Sequence, residues 1–164
     1  MNSHAEGSRV FGWGYEGRSV SELIDFCSSI GNPVVVDVRL NAISRKRGFS
    51  KTALRSYLED AGIDYVHLRA LGNPKENRPG FWDPGTSAAR RAHSWFRNHV
   101  LEGSGADELD ELARLAKQRT VVLLCFEVDQ QCCHRDLVAA AVNEELAQNS
   151  GALWRAASAE TLVG

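Results

Sequence analysis

Apolar and polar residues follow two periods along this chain, and together they predict strands that alternate with helices. Apolar or β-branched runs typical of strands occur at Arg9 to Trp13, Val34 to Val38, Asp64 to Leu68 and Thr120 to Leu124. Apolar residues with helical spacing occur within Ser19 to Ser29, Ser50 to Ala61, Thr86 to Leu101, Ala106 to Lys117 and the segment after Arg135. A last short strand is predicted at Gly151 to Arg155. This order predicts an α/β fold, a three-layer single domain with a mainly parallel central sheet and helices on both faces.

Residues at the predicted helix ends support these boundaries. Ser19 can cap the first helix, and Glu22 stands three residues later as its reciprocal partner in a capping box. Ser50 is predicted to cap the second helix. Cys27 lies on the apolar face of the first helix, which predicts a core position.

Three loops are expected to meet at one edge of the sheet. Right-handed crossovers between parallel strands place the loops that follow the strands at the same edge. These loops are Gly14 to Arg18, Arg39 to Phe49 and Phe126 to Arg135. A fourth segment, Arg69 to Gly85, is predicted to be a long ordered loop, and such loops in compact domains are often functional. The sequence therefore predicts the site at the carboxyl ends of the strands.

The composition narrows the class of protein. The chain has 164 residues, of which 43% are hydrophobic and 24% charged, with a formal net charge of -2. These values predict one globular domain over residues 1–164, with a flexible N-terminal segment at residues 1–8. No general positive field favours nucleic acid, and no apolar run reaches the roughly 18 residues that span a bilayer. The start of the chain lacks the apolar core of a signal peptide, so a cytoplasmic protein without a membrane partner is expected.

Two acids and two cysteines are the candidates for catalysis. Asp37 closes one predicted strand and Glu127 follows another, and carboxylates at such positions can serve as general acids or bases. A salt bridge for Asp37 and a solvated position for Glu127 are the structural alternatives. Cys125 ends a strand, and Cys133 precedes a predicted helix, where a thiolate is stabilised and can be a nucleophile.

Basic, aromatic and imidazole side chains of the same loops form the predicted ligand-binding set. The set comprises Tyr15, Arg18, Arg39, Arg45, Phe49, His134 and Arg135. Arginines can hold phosphate groups, and an aromatic ring can stack on a base. Arg135 lies on the first turn of a helix, where the macrodipole does not favour a cation, so a partner acid or an anionic ligand is expected beside it.

A metal site is not predicted from these spacings. Cys125, Cys132, Cys133 and His134 suggest zinc ligands, but the chain has no CxxC or HxxxH pair, and adjacent cysteines fit one tetrahedral ion poorly. The spacing of Cys125 and Cys133 from Arg135 also differs from that of a thiol phosphatase loop. The cofactor is left unassigned.

Four pieces of the sequence together resemble the family known as domain of unknown function 488. They are Gly14 to Ser19, Asp37 to Arg39 with Ser44-Arg45 and Gly48 to Ser50, Tyr65 to Leu68 with Leu71 to Pro74, and Leu124 to Glu127 with Cys133 to Arg135. The resemblance runs from Val10 to Val142. It departs at Gly12-Trp13, where Thr-Ile is commoner, and at the extra cysteine, Cys132. The resemblance implies an α/β domain with these motifs at one end of the sheet, and it implies no reaction.

Three hypotheses of function follow. The leading one is a protein that binds a phosphate-bearing ligand, a nucleotide or nucleic acid, with acid–base hydrolysis or transfer chemistry at the strand ends. The first alternative is a thiol-dependent enzyme or redox sensor that uses Cys125 or Cys133. The second is a non-enzymatic interaction module with Phe81 and Trp82 on its contact surface. Substrate, catalysis itself and oligomeric state are left open.

Overall fold

The computed structural model of the protein describes the backbone of residues 9–160 and the side chains of residues 9–148. The segment 1–8, predicted to be a flexible N-terminus, lies outside the described residues. The strands are β1 (Val10–Gly14), β2 (Val34–Asp37), β3 (Tyr65–His67) and β4 (Val121–Cys125). The α-helices are α1 (Val20–Ser29), α2 (Lys51–Asp60), α3 (Ser87–Phe96), α4 (Ala106–Gln118) and α5 (Arg135–Glu160). A π-helical segment, Arg97–Ser104, follows α3.

The four strands form one parallel sheet in the order β1-β4-β2-β3. Strand β4 is therefore central and pairs with β1 on one side and β2 on the other. Its last residue, Cys125, is opposite Gly14 of β1, and Leu124 is opposite Asp37 of β2. Because all strands run in the same direction, their carboxyl ends meet at one edge of the sheet.

Successive residues of the central strands point into two different cores, which gives the three layers. Val34, Val36, Val121 and Leu123 pack in a core shared with α3, α4 and α5. On the opposite face, the second core combines Val35, Val122 and Leu124 with residues of α1 and α2. These strands are hydrophobic at every position because both faces of the sheet are covered. The predicted three-layer α/β fold is thus confirmed.

The two predicted helix caps differ. The Ser19 side chain accepts a hydrogen bond from the Glu22 amide at 3.3 Å, and the Glu22 carboxylate accepts from the Ser19 amide at 2.6 Å. This is the predicted capping box. Ser50 is the residue before α2, but its side chain makes no capping hydrogen bond. Cys27 is fully buried, as its place on the apolar face predicted.

Two predictions about secondary structure require correction. Gly151 to Arg155 does not form a strand, because α5 continues through it to Glu160. The segment Arg69 to Gly85 is partly helical, with 3₁₀ turns at Arg69–Leu71 and Lys75–Trp82. Within the described part of the chain, no helix combines the length and apolar character needed to cross a bilayer.

The pair of aromatics predicted as a contact surface is divided between core and solvent. Phe81 is 2% exposed and packs against Phe96 and His93, whereas Trp82 is 62% exposed. Of these two aromatic residues, Trp82 is therefore the one that is exposed for contact with a partner.

Candidate functional site

A cavity of about 240 Å³ lies at the carboxyl edge of the sheet. All three loops predicted to meet there contribute to it, and the segment that contains Lys75–Trp82 supplies a further wall. The lining residues are Tyr15, Arg39, Leu40, Asn41, Ile43, Asn73, Arg78, Phe81, Cys125, Phe126, Glu127, Cys132, Cys133 and His134.

A buried ion pair forms the base of the site at the end of β2. Asp37 is fully buried, and its carboxylate accepts from Arg39 Nε at 2.8 Å and Arg39 Nη2 at 2.6 Å. The Asp37 carboxylate also accepts from the Arg39 amide at 3.1 Å and from the Tyr65 hydroxyl at 2.6 Å. Burial and the negative charge of Asp37 raise the pKa of Tyr65, so the tyrosine remains a donor. With four hydrogen bonds accepted and no place in the cavity wall, Asp37 does not fit the predicted role of catalytic acid or base, and it positions Arg39 instead.

Most of the guanidinium of Arg39 is already occupied. Besides its two bonds to Asp37, Arg39 Nη1 donates to the Phe49 carbonyl at 2.7 Å and contacts the Tyr15 hydroxyl at 3.4 Å. Burial opposes the charge of Arg39, but the hydrogen bonds and the charge of Asp37 raise its pKa overall. Four of the five guanidinium N–H groups are thereby used. Arg39 supplies positive charge to the cavity wall but little capacity to bind phosphate directly.

The aromatic residues of the site are arranged differently from the prediction. Phe49 is fully buried and stacks on Tyr15 with ring centroids 4.4 Å apart. Its ring therefore cannot stack on a base, and that predicted role is wrong. Phe126 is 46% exposed, lines the cavity and contacts the edge of Tyr15. Phe126 is thus an exposed aromatic side chain of the cavity wall that a ligand can reach.

Two predicted cations lie away from the cavity. The Arg18 guanidinium lies 5.1 Å from the Trp13 ring centroid and lines a separate groove with Lys46 and Arg47. Arg45 is exposed and is absent from the cavity wall. The sequence showed that Arg18 and Arg45 belong to loops at this edge of the sheet, but it could not show that their side chains point away from the cavity.

Cys125, Cys133 and His134 form one compact buried group. The two sulfur atoms and a ring nitrogen of His134 all lie within 4.8 Å of one another. Cys133 Sγ is 3.7 Å from His134 Nδ1, and His134 Nε2 is 2.8 Å from the Val38 carbonyl oxygen. Because a carbonyl only accepts, Nε2 carries a proton, and Nδ1 is the ring nitrogen that faces Cys133 Sγ.

The charges in this group depend on one another. A hydrogen bond from Cys133 lowers the pKa of the Cys125 thiol well below its usual value, against the effect of burial and with help from the His134 charge. Burial, together with the bond to Cys125, raises the pKa of Cys133. Burial alone would lower the pKa of His134, but the negative charge of Cys125 raises it overall. The group therefore favours negative charge on one sulfur. Cys132 is outside it, since its half-exposed sulfur faces the Trp82 carbonyl.

Glu127 lines the cavity beside these sulfurs. Its Oε2 atom is buried and lacks a hydrogen-bond partner among the residues described. Burial and the nearby charge of Cys125 raise the pKa of the Glu127 carboxyl group. A half-buried carboxyl group with a raised pKa and a free oxygen fits the predicted role of general acid or base.

Arg135 is buried behind the site and does not line the cavity. Its side chain is 1% exposed, and its Nε and Nη1 atoms find no partner within the part of the chain that is described. The guanidinium lies under the end of β1, where a Cβ atom on Gly14 would be 2.9 Å from Arg135 Nη1 and 1.9 Å from the Glu127 carbonyl oxygen. A side chain at position 14 would thus collide with both. Arg135 puts positive charge next to Cys133 but cannot touch a ligand in the cavity.

The family model for domain of unknown function DUF488 matches residues 19–142. The chain belongs to this family. The match confirms the resemblance seen in the sequence, although Gly14 to Arg18 precedes the matched residues. Neither the curated proteins nor the solved structures give a match.

Sequence reasoning missed one cation in this DUF488 protein. Arg78 lines the cavity and is half-buried, and among residues 9–148 its side chain makes one hydrogen bond, from Nε to the Asn73 carbonyl at 3.0 Å. Gly72 allows the segment that carries Arg78 to pack closely against Leu40, since a Cβ atom at position 72 would lie 2.3 Å from Leu40 Cα. The prediction of a long ordered loop at Arg69 to Gly85 was the only signal that pointed to Arg78.

Proposed function

We propose that this protein binds a small phosphate-bearing ligand in the cavity at the carboxyl ends of β1, β4 and β2, and carries out acid–base hydrolysis or transfer chemistry on it. A mononucleotide, or the phosphate-bearing end of a larger molecule, is the class of ligand. Glu127 is the acid or base, and Arg78 is the cation that meets the phosphate.

The observation that carries this proposal is the pair of Nη groups of Arg78, which make no hydrogen bond to the described residues. Its two Nη groups have no partner among residues 9–148, and they belong to a residue of the cavity wall. Arginine presents paired N–H groups that match the oxygen atoms of phosphate. Arg39 adds a fixed positive charge to the same wall, held by Asp37.

The size and lining of the cavity limit the ligand. A volume of about 240 Å³ lies below the roughly 300–1,000 Å³ typical of drug-sized ligand sites. This favours a small molecule or one end of a larger one. Phe126 offers an apolar ring at the cavity wall, while Asn41 and Asn73 offer polar groups for orientation.

Thermal unfolding with a panel of ligands tests the proposal. The panel contains inorganic phosphate, mononucleotides and short oligonucleotides, each at low and moderate salt. A ligand at one hundred times its dissociation constant stabilises the folded state by about 2.7 kcal/mol. Stabilisation is expected for the wild type and lost in Arg78→Ala. No stabilisation of folded wild-type protein by any of these compounds would exclude the proposal.

Arg91→Ala is the matched control for Arg78→Ala. Arg91 is exposed on α3 and outside the cavity wall, so its replacement removes the same charge from the protein without changing the site. Equal loss of ligand stabilisation in both variants would show a nonspecific charge effect. Circular dichroism establishes that both variants are folded.

One observation favours the thiol-dependent alternative. The sulfurs of Cys125 and Cys133 lie within 4.8 Å of each other, so a modest movement could join them as a disulfide. Treatment with a mild disulfide oxidant, followed by peptide mass spectrometry, would then show Cys125 linked to Cys133. An unlinked pair in oxidised, folded protein would remove this candidate.

A further inference from the structure

We propose that Cys125, Cys133 and His134 bind a zinc-like divalent metal ion, with a fourth coordination position open to the cavity. Glu127 stands beside that open position as the acid–base group. Metal binding itself is independent of the proposed function. The assignment of Glu127 to chemistry on a metal-bound water rests on the proposed function.

The distances fit a tetrahedral site. Zinc takes sulfur ligands at about 2.3 Å and nitrogen ligands at about 2.0–2.1 Å, so tetrahedral angles separate sulfur from nitrogen by about 3.6 Å. The distance from Cys133 Sγ to His134 Nδ1 is 3.7 Å. The Cys125 sulfur lies within 4.8 Å of the Cys133 sulfur and of a ring nitrogen of His134, so a small side-chain adjustment completes the three ligands.

The imidazole of His134 is oriented as a ligand. Its Nε2–H donates to the Val38 carbonyl at 2.8 Å, which fixes the ring and leaves Nδ1 directed at the two sulfurs. Metal-binding histidines are typically held in this way, by a hydrogen bond from the second ring nitrogen to a carbonyl or carboxylate. The ring also packs against Phe96, which limits its rotation.

The backbone explains how neighbouring residues can bind one ion. Cys133 has extended dihedral angles, and the helix starts only at Arg135, so Cys133 and His134 lie at the turn into α5. The second sulfur comes from the end of β4, eight residues earlier. The adjacent pair Cys132 and Cys133, which argued against zinc in the sequence, is not the ligand pair.

The surroundings suit a metal with thiolate ligands. The Arg135 amide donates to Cys133 Sγ at 3.5 Å, and such N–H···S contacts favour the thiolate form. The buried guanidinium of Arg135 lacks a hydrogen-bond partner at Nε and Nη1 among the described side chains. Two thiolates, a divalent cation and the Glu127 carboxylate would together carry one negative charge, which balances Arg135.

The ligand types and the open side indicate the class of ion. Two sulfurs and one imidazole favour Zn²⁺ over Mg²⁺ or Ca²⁺, which prefer oxygen ligands. All three ligands line the cavity, so a water molecule can occupy the fourth position. Glu127 Oε2, buried and without a partner in the described region, is then available to accept a proton from that water.

Cobalt titration of the reduced, metal-stripped wild-type protein tests the site. Co²⁺ bound by thiolates gives a sulfur-to-cobalt charge-transfer band in the near ultraviolet. We expect this band to saturate at one ion per chain and to disappear when Zn²⁺ is added. Absence of the band in folded, reduced protein would overturn the inference, and this result requires no variant.

Serine variants identify the ligands. Cys125→Ser and Cys133→Ser should each weaken Co²⁺ binding by more than about 100-fold, beyond the range typical of outer-shell changes. Cys132→Ser is the matched control and should bind as the wild type does. If all three substitutions weaken Co²⁺ binding equally, or if none of them weakens it, the assignment of Cys125 and Cys133 as ligands is wrong. If a ligand variant does not fold, the wild-type titration decides.

The two proposals fail separately. Arg78→Ala should keep the cobalt band and lose stabilisation by the phosphate compounds. A protein that binds the compounds without a cobalt band would exclude the metal site only. A cobalt band without response to any phosphate compound would exclude the proposed function only.

Discussion

Two ion pairs at the ends of the strands, both among the described residues, allow a test of how burial changes the contribution of a salt bridge. The pairs Arg39–Asp37 and Arg119–Asp64 both have a nitrogen–oxygen distance of 2.6 Å. The first pair has side chains exposed by 5% and 0%, whereas the second has side chains exposed by 39% and 69%. The shortest nitrogen–oxygen distance is thus the same in both pairs, whereas burial differs, and Asp37 binds two nitrogen atoms of the Arg39 side chain where Asp64 binds one of Arg119. The perturbation is Asp37→Asn, with Asp64→Asn as control.

Asp37→Asn should cost far more stability than Asp64→Asn. Asparagine preserves the shape of the side chain, but its amide group faces partners that all donate hydrogen bonds, and the Arg39 charge remains buried without a counter-ion. Removing one partner of a buried pair costs about 3–5 kcal/mol. Removing one partner of an exposed pair costs about 0–1 kcal/mol. For a chain of this length, the first loss corresponds to a fall in Tm of about 6–20 °C.

Urea unfolding followed by circular dichroism measures both changes in the free energy of unfolding. A loss below about 1 kcal/mol for Asp37→Asn, or equal losses for the two variants, would refute the reasoning from burial. If Asp37→Asn does not fold, Tyr65→Phe replaces it. That change removes one bond to the carboxylate and keeps the ion pair, for an expected cost of about 1.5–3 kcal/mol.

Two further predictions concern local features. Ser19→Ala should lower the free energy of unfolding by about 1 kcal/mol, because the hydrogen bond between the Ser19 side chain and the Glu22 amide is lost. Ser50→Ala should change the free energy of unfolding little, because Ser50 makes no capping hydrogen bond. Urea unfolding compares the two variants, and equal losses would contradict the assignment of the caps. Cys27 is fully buried, and burial raises the pKa of its thiol to about 11, whereas Cys132 is half-exposed, so iodoacetamide near neutral pH should label Cys27 far more slowly than Cys132. Mass spectrometry of peptides gives both rates, and Cys27 labelling as fast as in unfolded protein would disprove this.

Much of the architecture could be predicted because it depends on local patterns. The valine-rich run before Asp37 predicted a strand buried on both faces, and the serine and glutamate of α1 predicted its capping box. Alternating strands and helices then implied a parallel sheet with the following loops at one edge. The error at Gly151 to Arg155 shows where this approach is weakest, since a short apolar run is compatible with either a strand or a helix.

The site was harder to predict because its function depends on which side chains meet. Residue type and loop position pointed to Glu127, Cys125, Cys133 and His134, and the structure brings these four residues together in the wall of one cavity. The same criteria also selected Phe49, which is fully buried in the second core. They did not select Arg78, whose local sequence resembles that of any polar turn.

The α/β class and the family could be recognised from the residues alone, and so could the expectation that three loops meet at the carboxyl edge of the sheet. These conclusions follow from the hydrophobic periodicity, the order of the elements along the chain and a set of short sequence motifs. The folded structure was needed to show that Asp37 forms a buried ion pair with Arg39, that Arg78 lines the cavity, and that Cys125 and Cys133 lie next to one histidine. The physical reason is that a buried charge or thiol takes its properties from neighbours distant in sequence, and packing alone brings them together.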